Sequence, residues 1–384
     1  MIRAVGSRRK GMGASLFHRV WTYPRARRLL GIAVGSYLVA LLAGFIAPYD
    51  PRAQDRSAVK APPHRLRFRD AEGRLHRRPF FHPWRIVDRA RHQYEEDRSR
   101  YYEVAFFVRG EEAPLFLGLK TSYHLFGVLS RSSTHREPSG VAGEESPPRV
   151  YLLGTDHLGR DVFSRLVHGS RPALLIASLS LVGAFLIGFV LGGVAGYYGG
   201  TFDAVLMRMG ELVESVPLLF LLLVWRAVLP LDLSVEASLF TLIALFVLVS
   251  WTSIARVTRG CVLSLKAQEF VLGALALGAS PGWILRHHLF PNALTPALIQ
   301  ATLTLPSFLL GEAALSFLGL GIPEPEPSWG SMLAVARDLS VLRAQPWLLV
   351  PGLALWGFVA LFTLLGEAIR AAWDPHHPAS APAF

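Results

Sequence analysis

The sequence predicts an all-α integral membrane protein with six transmembrane helices and an inserted, mixed α/β extracytoplasmic region. Three observations lead to this fold class. Hydrophobic residues make up 52% of the 384 residues and the mean hydropathy is positive, which lies outside the range of ordinary soluble domains. Six apolar runs are long enough to cross a bilayer. A charged stretch that cannot span separates the first run from the second.

The chain begins with a basic arm, residues 1–28, which carries eight Lys or Arg and no acid and is expected to stay in the cytoplasm. The first span is predicted at 29–47, because an apolar run of this length covers the ~30 Å hydrocarbon core at ~1.5 Å per residue. A cleavable signal peptide is the alternative, but its apolar part usually has only ~7–15 residues. We assign the net charge of +11 to membrane topology rather than to nucleic acid binding.

Residues 48–171 are predicted to form an extracytoplasmic insertion followed by a segment that leads into the second span. Alternating residues at Arg65–Arg69 and the turn residues after them predict a hairpin, and Tyr101–Val108 predicts a further strand. Arg85–Arg100 is expected to be a polar helix or loop, and Ser130–Pro148 a mobile loop. The histidines here lack metal-ligand spacing, so we expect no metal site.

Residues 172–370 are predicted to be a core of five helices, and 371–384 a cytoplasmic tail. The five expected spans are Ala173–Gly196, about Val205–Leu229, about Ser238–Ala255, about Leu294–Leu315 and Trp347–Leu365. The loop after the fourth span is basic and the loop after the fifth is acidic. This bias places both termini and the loop 256–292, here called the motif loop, in the cytoplasm.

The motif loop is too polar to span and too patterned to be a plain linker. We predict a short helix over Glu269–Leu277, a break at Gly278–Ser280 and a second short helix over Pro281–Phe290. A helix-turn-helix that lies flat against the membrane and exposes Gly278 to a partner explains this pattern.

Few residues suggest chemistry. Glu312 lies inside the fifth span, where a carboxylate is costly, so it either faces a substrate path or makes a structural hydrogen bond. Gly188 and Gly192 form a G-x-x-x-G pair, which is only weakly specific for close helix packing. We find no phosphate-binding loop, no catalytic residue and no cofactor motif, so any nucleotide hydrolysis would need another chain.

Four motifs, in order, resemble the dipeptide and oligopeptide (peptide/nickel) family of ABC importer permeases, specifically its second-permease (C-type) subunit. They lie at Asp50-Pro51, at Gly154–Arg165 (GTD-x-x-GRD-x-x-SR), in the motif loop at 276–292, and at Glu312–Gly321 with Pro327–Gly330. The resemblance covers residues 29–51 and about 150–375.

The resemblance implies a type I ABC importer permease fold in the bacterial inner membrane and transport of peptides without enzymatic activity of the chain itself. It also implies four kinds of partner: a second permease in a heterodimer, one or two ABC ATPase subunits, an extracytoplasmic substrate-binding protein and membrane lipid, with no nucleic acid.

It further assigns three groups of residues. The ATPase-coupling residues are Ala274, Leu277, Gly278, Ala279, Ser280, Arg286, His287, Pro291 and Asn292. The segment that leads into the second span contributes Gly154, Thr155, Asp156, Gly159, Arg160 and Asp161. Gate or interface candidates are Glu312, Ser316 and Trp329.

Two departures from the family pattern stand out. Leu272-Gly273-Ala274 replaces the usual Glu-Ala-Ala, and Glu269 is the nearest acid that could partly substitute. The insertion at about 57–149 exceeds the short first loop of typical members, and we expect it to contact the binding protein or the second permease. Two alternatives remain open from the sequence: a self-sufficient secondary transporter and a membrane-anchored extracytoplasmic domain protein.

Overall fold

The computed structural model describes residues 20–70, 73–89, 91–115, 119–129, 148–228, 230 and 233–373. The chain divides into two compact units. The helical unit comprises Met1–Gly35, Leu175–Leu315 and Leu355–Phe384, as far as these ranges are described. The strand-containing unit comprises Ser36–Leu174 and Ser316–Ala354, with the same restriction.

The helices are numbered α1–α12 in chain order. They are α1 Pro24–Leu41, α2 Ala43–Ile46, α3 Val162–Tyr198, α4 Gly200–Ser215, α5 Leu218–Val228, α6 Val235–Lys266, α7 Glu269–Ala276, α8 Pro281–Ile284, α9 Phe290–Phe317, α10 Trp329–Leu333, α11 Leu339–Ala344 and α12 Val350–Trp373. A π-helical turn, Leu285–Leu289, joins α8 to α9, and 3₁₀ turns at Ala334–Arg337 and Pro346–Leu349 precede α11 and α12.

Four helical stretches in the described part of the chain are long and apolar enough to cross a membrane. They are Val162–Tyr198, Val235–Lys266, Pro281–Phe317 and Pro346–Trp373, and they contain the second, fourth, fifth and sixth predicted spans. The first predicted span is divided at Leu42, between α1 and α2. The third is divided at Val216-Pro217, because proline has no N–H for the helix and clashes with the preceding turn. The count of six spans therefore stays a prediction.

Glycines of α3 allow it to pack closely on α6 within the helical unit. A Cβ added at Gly188 would collide with the backbone of Trp251, and one at Gly192 with the backbone of Ala255. The two glycines are four residues apart, so they lie on one face of the helix. The predicted G-x-x-x-G contact is confirmed by this geometry.

The described residues of the strand-containing unit include six strands. They are β1 Arg67–Arg69, β2 Leu75–Phe81, β3 Trp84–Asp88, β4 Gln93–Glu96, β5 Tyr102–Pro114 and β6 Lys120–Val128. A four-stranded antiparallel sheet has the order β1-β2-β5-β6, and β3 and β4 form a separate hairpin. The hairpin predicted after Arg65 is confirmed as β1 and β2, and the predicted strand at Tyr101 is confirmed as part of β5.

The prediction of a polar helix or loop at Arg85–Arg100 is wrong for half of this range, which β3 and β4 occupy. Arg85 and Glu95 lie opposite each other across the two strands, and such an opposite-charge pair stabilises a sheet. The mobile loop predicted at Ser130–Pro148 lies almost wholly outside the described residues.

The strand-containing unit has its own apolar core, which leads directly into the motif at 154–165. Phe81, Val104, Phe126 and Val150 are buried together. His64 is buried beside them, where its Nδ1 accepts a hydrogen bond from the backbone N–H of Tyr151 at 2.9 Å. The chain at 150–151 is therefore held firmly just before the motif begins.

Candidate functional site

The turn of the motif loop is a glycine cap at the end of α7. The N–H of Gly278 donates to the carbonyl of Leu275 at 2.9 Å, and the N–H of Ala279 donates to the carbonyl of Ala274 at 3.0 Å. This pair of bonds is the Schellman motif, which needs a left-handed residue after the helix. Gly278 supplies it with φ +80, and a Cβ added there would meet nothing within 4 Å. The glycine is therefore required by the backbone conformation and not by crowding within the chain.

The motif loop is anchored to the ends of α3 and α6 by buried apolar side chains. Val271, Ile284 and Leu289 are each 0% exposed and pack with Tyr197 of α3 and Val262 of α6. Lys266 adds a hydrogen bond from its Nζ to the Tyr197 carbonyl at 2.6 Å. Because interiors are close-packed, a displacement of the loop would be transmitted to the ends of these helices.

Five large apolar side chains of the loop are exposed, and we call them the apolar patch: Phe270, Leu272, Leu275, Leu277 and Trp283. Leu277, beside the glycine cap, is 91% exposed and Leu272 is 53% exposed. Single exposed apolar residues are ordinary on protein surfaces, but a contiguous group of large ones marks an interaction site. The departure from the usual Glu-Ala-Ala thus places leucine, not an acid, in this patch.

The remaining residues of the predicted ATPase-coupling group lie in or close to the π-helical turn. His287 stacks on Trp283 with ring centroids 4.7 Å apart, Asn292 donates to the carbonyl of His288 at 2.5 Å, and Arg286 is exposed. Ser280 and Pro291 are exposed as well. The predicted end of the second short helix at Phe290 is wrong. Since the π-helical turn Leu285–Leu289 joins α8 to α9 without a break, the helical stretch runs past Phe290 to Phe317, with Pro291 in its interior.

The second candidate region is the lead-in segment, Gly154–Arg165, in the strand-containing unit. Two glycines, Gly154 with φ +70 and Gly159 with φ +74, form its turns. Between them, Asp156 Oδ1 accepts hydrogen bonds from the N–H groups of Leu158 at 2.8 Å and Arg160 at 3.0 Å.

Thr155 and Asp161 close the two ends of this segment. Thr155 Oγ1 accepts a hydrogen bond from the Ala61 N–H at 2.7 Å. Asp161 precedes α3 and its Oδ2 accepts from the N–H of Ser164 at 2.8 Å and from its hydroxyl at 2.6 Å, which makes it the N-cap of the helix. Burial raises the pKa of Asp161 to about 6. These two residues therefore have structural contacts that account for their presence.

Two arginines of the lead-in segment form a charge cluster with two carboxylates. Arg160 and Arg165 are 3% and 1% exposed, and both pair with Asp156 and Glu324. Arg160 Nε donates to Asp156 Oδ2 at 2.7 Å and Arg160 Nη1 to Glu324 Oε2 at 2.5 Å. Arg165 Nη2 donates to Glu324 Oε1 at 3.3 Å. Buried guanidinium groups remain charged, so the cluster depends on both carboxylates.

The three gate or interface candidates are not collected in one unit. Glu312 lies in the helical unit and is 1% exposed. Ser316 and Trp329 lie in the strand-containing unit, where Ser316 Oγ accepts from the Ile322 N–H at 3.3 Å and Trp329 Nε1 donates to the Leu166 carbonyl at 2.9 Å. Structural contacts account for the last two, and their gate role stays a prediction.

Sequence reasoning missed two kinds of residue. Arg165 and Glu324 belong to the charge cluster. In the sequence, Arg165 stands out only as the last residue of a motif, and Glu324 only as one charge of a loop. An arginine at the end of a motif rich in charges was the available signal for Arg165. The anchors Val271, Ile284 and Leu289 were also missed, since Ile284 and Leu289 are five residues apart across the π-helical turn, a spacing outside the three- or four-residue period of an α-helical face.

Comparisons with known proteins agree with these motifs. The family model described as binding-protein-dependent transport system inner membrane component matches residues 188–376. The dipeptide transport system permease protein DppC of Alkalihalophilus pseudofirmus is 34% identical over 252 residues, 65% of this chain and 80% of that protein. The oligopeptide transport system permease protein OppC of Bacillus subtilis is 37% identical over 237 residues, 60% of this chain and 74% of that protein.

Among solved structures, the MetNI methionine ABC transporter in inward-facing conformations matches with a TM-score of 0.41 and 22% identity, over 55% of this chain and 97% of that chain.

Proposed function

The chain belongs to the family of binding-protein-dependent transport system inner membrane components, with C-type peptide permeases as its relatives, and from this membership we propose that it is the second permease of an ATP-driven peptide importer. The chain forms half of the translocation path and pairs with a different permease. Separate ATPase chains hydrolyse the nucleotide, and an extracytoplasmic binding protein delivers the peptide. Both termini and the motif loop lie in the cytoplasm.

The observation that carries the coupling step is that the motif loop is both anchored and exposed. Val271, Ile284 and Leu289 fix it to the ends of α3 and α6, while the residues of the apolar patch remain exposed. A partner that binds the patch can therefore push on two long helices through packed contacts. Closure of the ATPase pair on ATP would move the loop as a unit and so reorient the membrane helices.

The chemistry of the patch defines the groove that receives it. With Leu272 in place of the family's usual glutamate, the contact surface is apolar beside the glycine cap, and Glu269 is exposed at the start of the same helix. An apolar groove on the ATPase fits Leu272 and Leu277. A basic residue of the ATPase, placed to pair with the family's usual glutamate, would find no acid at position 272.

The experiment that tests this function compares Gly278→Asp with Gly73→Asp in the affinity-purified, detergent-solubilised transporter. The two glycines are matched: each has φ near +80 (+80 and +81), and a Cβ added at either meets nothing within 4 Å. An aspartate therefore introduces the same backbone strain and the same charge at both positions. Only Gly278 lies beside the apolar patch.

We expect the wild-type chain and Gly73→Asp to copurify with a second permease and one or two ATPases, identified by mass spectrometry. Gly278→Asp is expected to lose the ATPases or their substrate-stimulated turnover, while it keeps the second permease. Recovery of the wild-type chain alone would point to a self-sufficient transporter. Equal loss with both variants would show that backbone strain, and not the position in the patch, causes the defect.

A further inference from the structure

The charge cluster of the lead-in segment is unequally buried. Arg160, Arg165 and Asp156 are each less than 10% exposed, whereas the side chain of Glu324 is 52% exposed. Two buried cations thus face one buried anion, and the second anion comes from the surface. A buried charge without a counter-charge is strongly unfavourable, so the two arginines require a carboxylate at this place. They do not require that it belong to this chain.

Glu324 and the residue after it both contact the arginines. The two carboxylate oxygens of Glu324 are divided between Arg160 and Arg165, and 52% of its side chain is exposed. The carbonyl of Pro325 accepts a long hydrogen bond from Arg165 Nη1 at 3.4 Å. The next acid, Glu326, pairs with Arg52, whose side chain is 58% exposed. A carboxylate in such a position can leave without any rearrangement of the core, because water replaces its lost contacts.

The arginines also retain an unused donor. Among the described residues, Arg165 Nε has no hydrogen-bond partner, and its ion-pair contact with Asp156 Oδ2 is 3.7 Å long. A small cavity of ≈ 20 Å³ borders both arginines and is lined by Asp156, Arg160, Arg165, Ser331, Met332 and Leu348 among others.

We propose that Arg160 and Arg165 form a carboxylate-exchange site, in which an acidic side chain of the substrate-binding protein displaces Glu324 when that protein docks. The partner's existence rests on the proposed function. Docking releases the segment at 324–326 from the lead-in segment, and undocking restores the internal pair.

The shape of Glu324 favours a protein side chain over the end of a peptide substrate. The carboxylate that lies between Arg160 and Arg165 is carried at the end of an unbranched CH₂ stem. The acidic side chain of a partner has the same shape, whereas the terminal carboxylate of a peptide carries a side chain and an amide on the adjacent carbon. An acidic partner would also meet the exposed cation Arg52 at the same surface.

The test uses three forms of the purified, complete transporter: wild type, Glu324→Gln and Glu326→Gln. The probe is fluorescent hexaglutamate blocked at both ends, so that it carries side-chain carboxylates only; blocked hexaglutamine is its neutral counterpart. Trialanine with a free carboxyl end and trialanine amide represent the peptide end. The two glutamine variants lose the same charge two residues apart, which controls for non-specific attraction to a basic protein.

Removal of the internal competitor should strengthen binding of the external carboxylate. We expect hexaglutamate to bind Glu324→Gln about fivefold more tightly than wild type, whereas Glu326→Gln changes the affinity by less than about twofold. Hexaglutamine should not distinguish the three forms. A structural ion pair alone would give equal or weaker binding for Glu324→Gln, and that result overturns the proposal.

A gain seen only with trialanine that has a free carboxyl end would assign the site to the peptide and overturn the assignment to the binding protein. Copurified ATPases and second permease in the same preparation report on the proposed function independently. If they are absent, both proposals fail. If they are present and the fivefold gain is not, only the exchange site fails.

Discussion

The motif loop and the lead-in segment are the two most recognisable stretches of the sequence, and they are built in opposite ways. The motif loop buries its apolar anchors, exposes large apolar side chains and depends on the backbone conformation at Gly278. The lead-in segment buries its charges and pairs them with neighbouring groups of the same chain, and Arg165 Nε is left as an unused donor among the described residues. We propose a partner for both stretches, but the motif loop exposes its contact residues, whereas the arginines of the lead-in segment become available only when Glu324 leaves.

This difference teaches that a family motif does not by itself identify a contact surface. Both stretches contain glycines with positive φ, yet at Gly278 an added side chain meets nothing, while a Cβ at Gly159 would collide with the backbone of Asp55. The open glycine is therefore required by its positive φ and leaves room beside it for a partner, whereas the crowded one is also required by internal packing. Substitutions in the two regions should have different consequences.

The largest expected effect is on stability, in the lead-in segment. Arg165→Met removes the ion pair with Glu324 and leaves the carbonyls of Pro51 and Pro325 without this donor; at about 1–3 kcal/mol for each group left unpaired, the loss comes to about 3–5 kcal/mol. Arg286→Met removes an exposed arginine from the motif loop and should cost less than about 0.5 kcal/mol. Thermal unfolding of both purified variants measures the contrast. Similar midpoints for the two would show that the cluster is not structurally required.

Lowering the pH should have a slightly smaller effect on folding stability, again through the strand-containing unit. Burial lowers the pKa of His64 from 6.5 to about 4, and its Nδ1 can accept the Tyr151 N–H only while the ring is neutral. The His64 of the unfolded chain binds a proton more readily than that of the folded chain. Its contribution to the free energy of unfolding is therefore fully present above pH 6.5 and is lost as the pH drops towards 4, by about 3 kcal/mol.

His64→Asn isolates this contribution, because the asparagine oxygen can accept the same hydrogen bond without titrating. Thermal midpoints of wild type and variant, measured from pH 7.5 to 4.5, should converge as the wild type loses stability. A constant difference between them across this range would contradict the assignment of the loss to His64.

The smallest effect is expected for the exposed leucine of the motif loop, and it concerns binding rather than folding. Leu277 is 91% exposed, so Leu277→Ser should leave thermal stability unchanged. If the ATPase buries this side chain, its loss removes about 1.5–3 kcal/mol of binding free energy, or at least about tenfold in affinity. Leu75→Ser, at a leucine that is 73% exposed in β2, is the matched control. Titration of purified ATPase onto the two variants would show equal affinities if the patch is not a docking surface.

The sequence was sufficient to predict elements whose pattern is local. The glycine break at Gly278, the strand within β5 and the long apolar helices follow from turn chemistry and periodicity. It could not predict the pairing of Arg165 with Glu324, which lie 159 positions apart. Nor could it show that Arg85 and Glu95 face each other across a hairpin, since charges on a helix face and on a strand pair look alike in one sequence.

The measurement that tests the central claim most directly is site-specific crosslinking from the motif loop. Cys261 is the one cysteine of the chain, so Cys261→Ser provides a background without thiols, into which Leu277→Cys and Leu75→Cys are introduced separately. A thiol-to-amine crosslinker is then applied to the transporter in native membranes. The account predicts an ATPase adduct with Leu277→Cys and none with Leu75→Cys. An ATPase adduct with Leu75→Cys, or its absence with Leu277→Cys in a preparation that contains the ATPase, would contradict it.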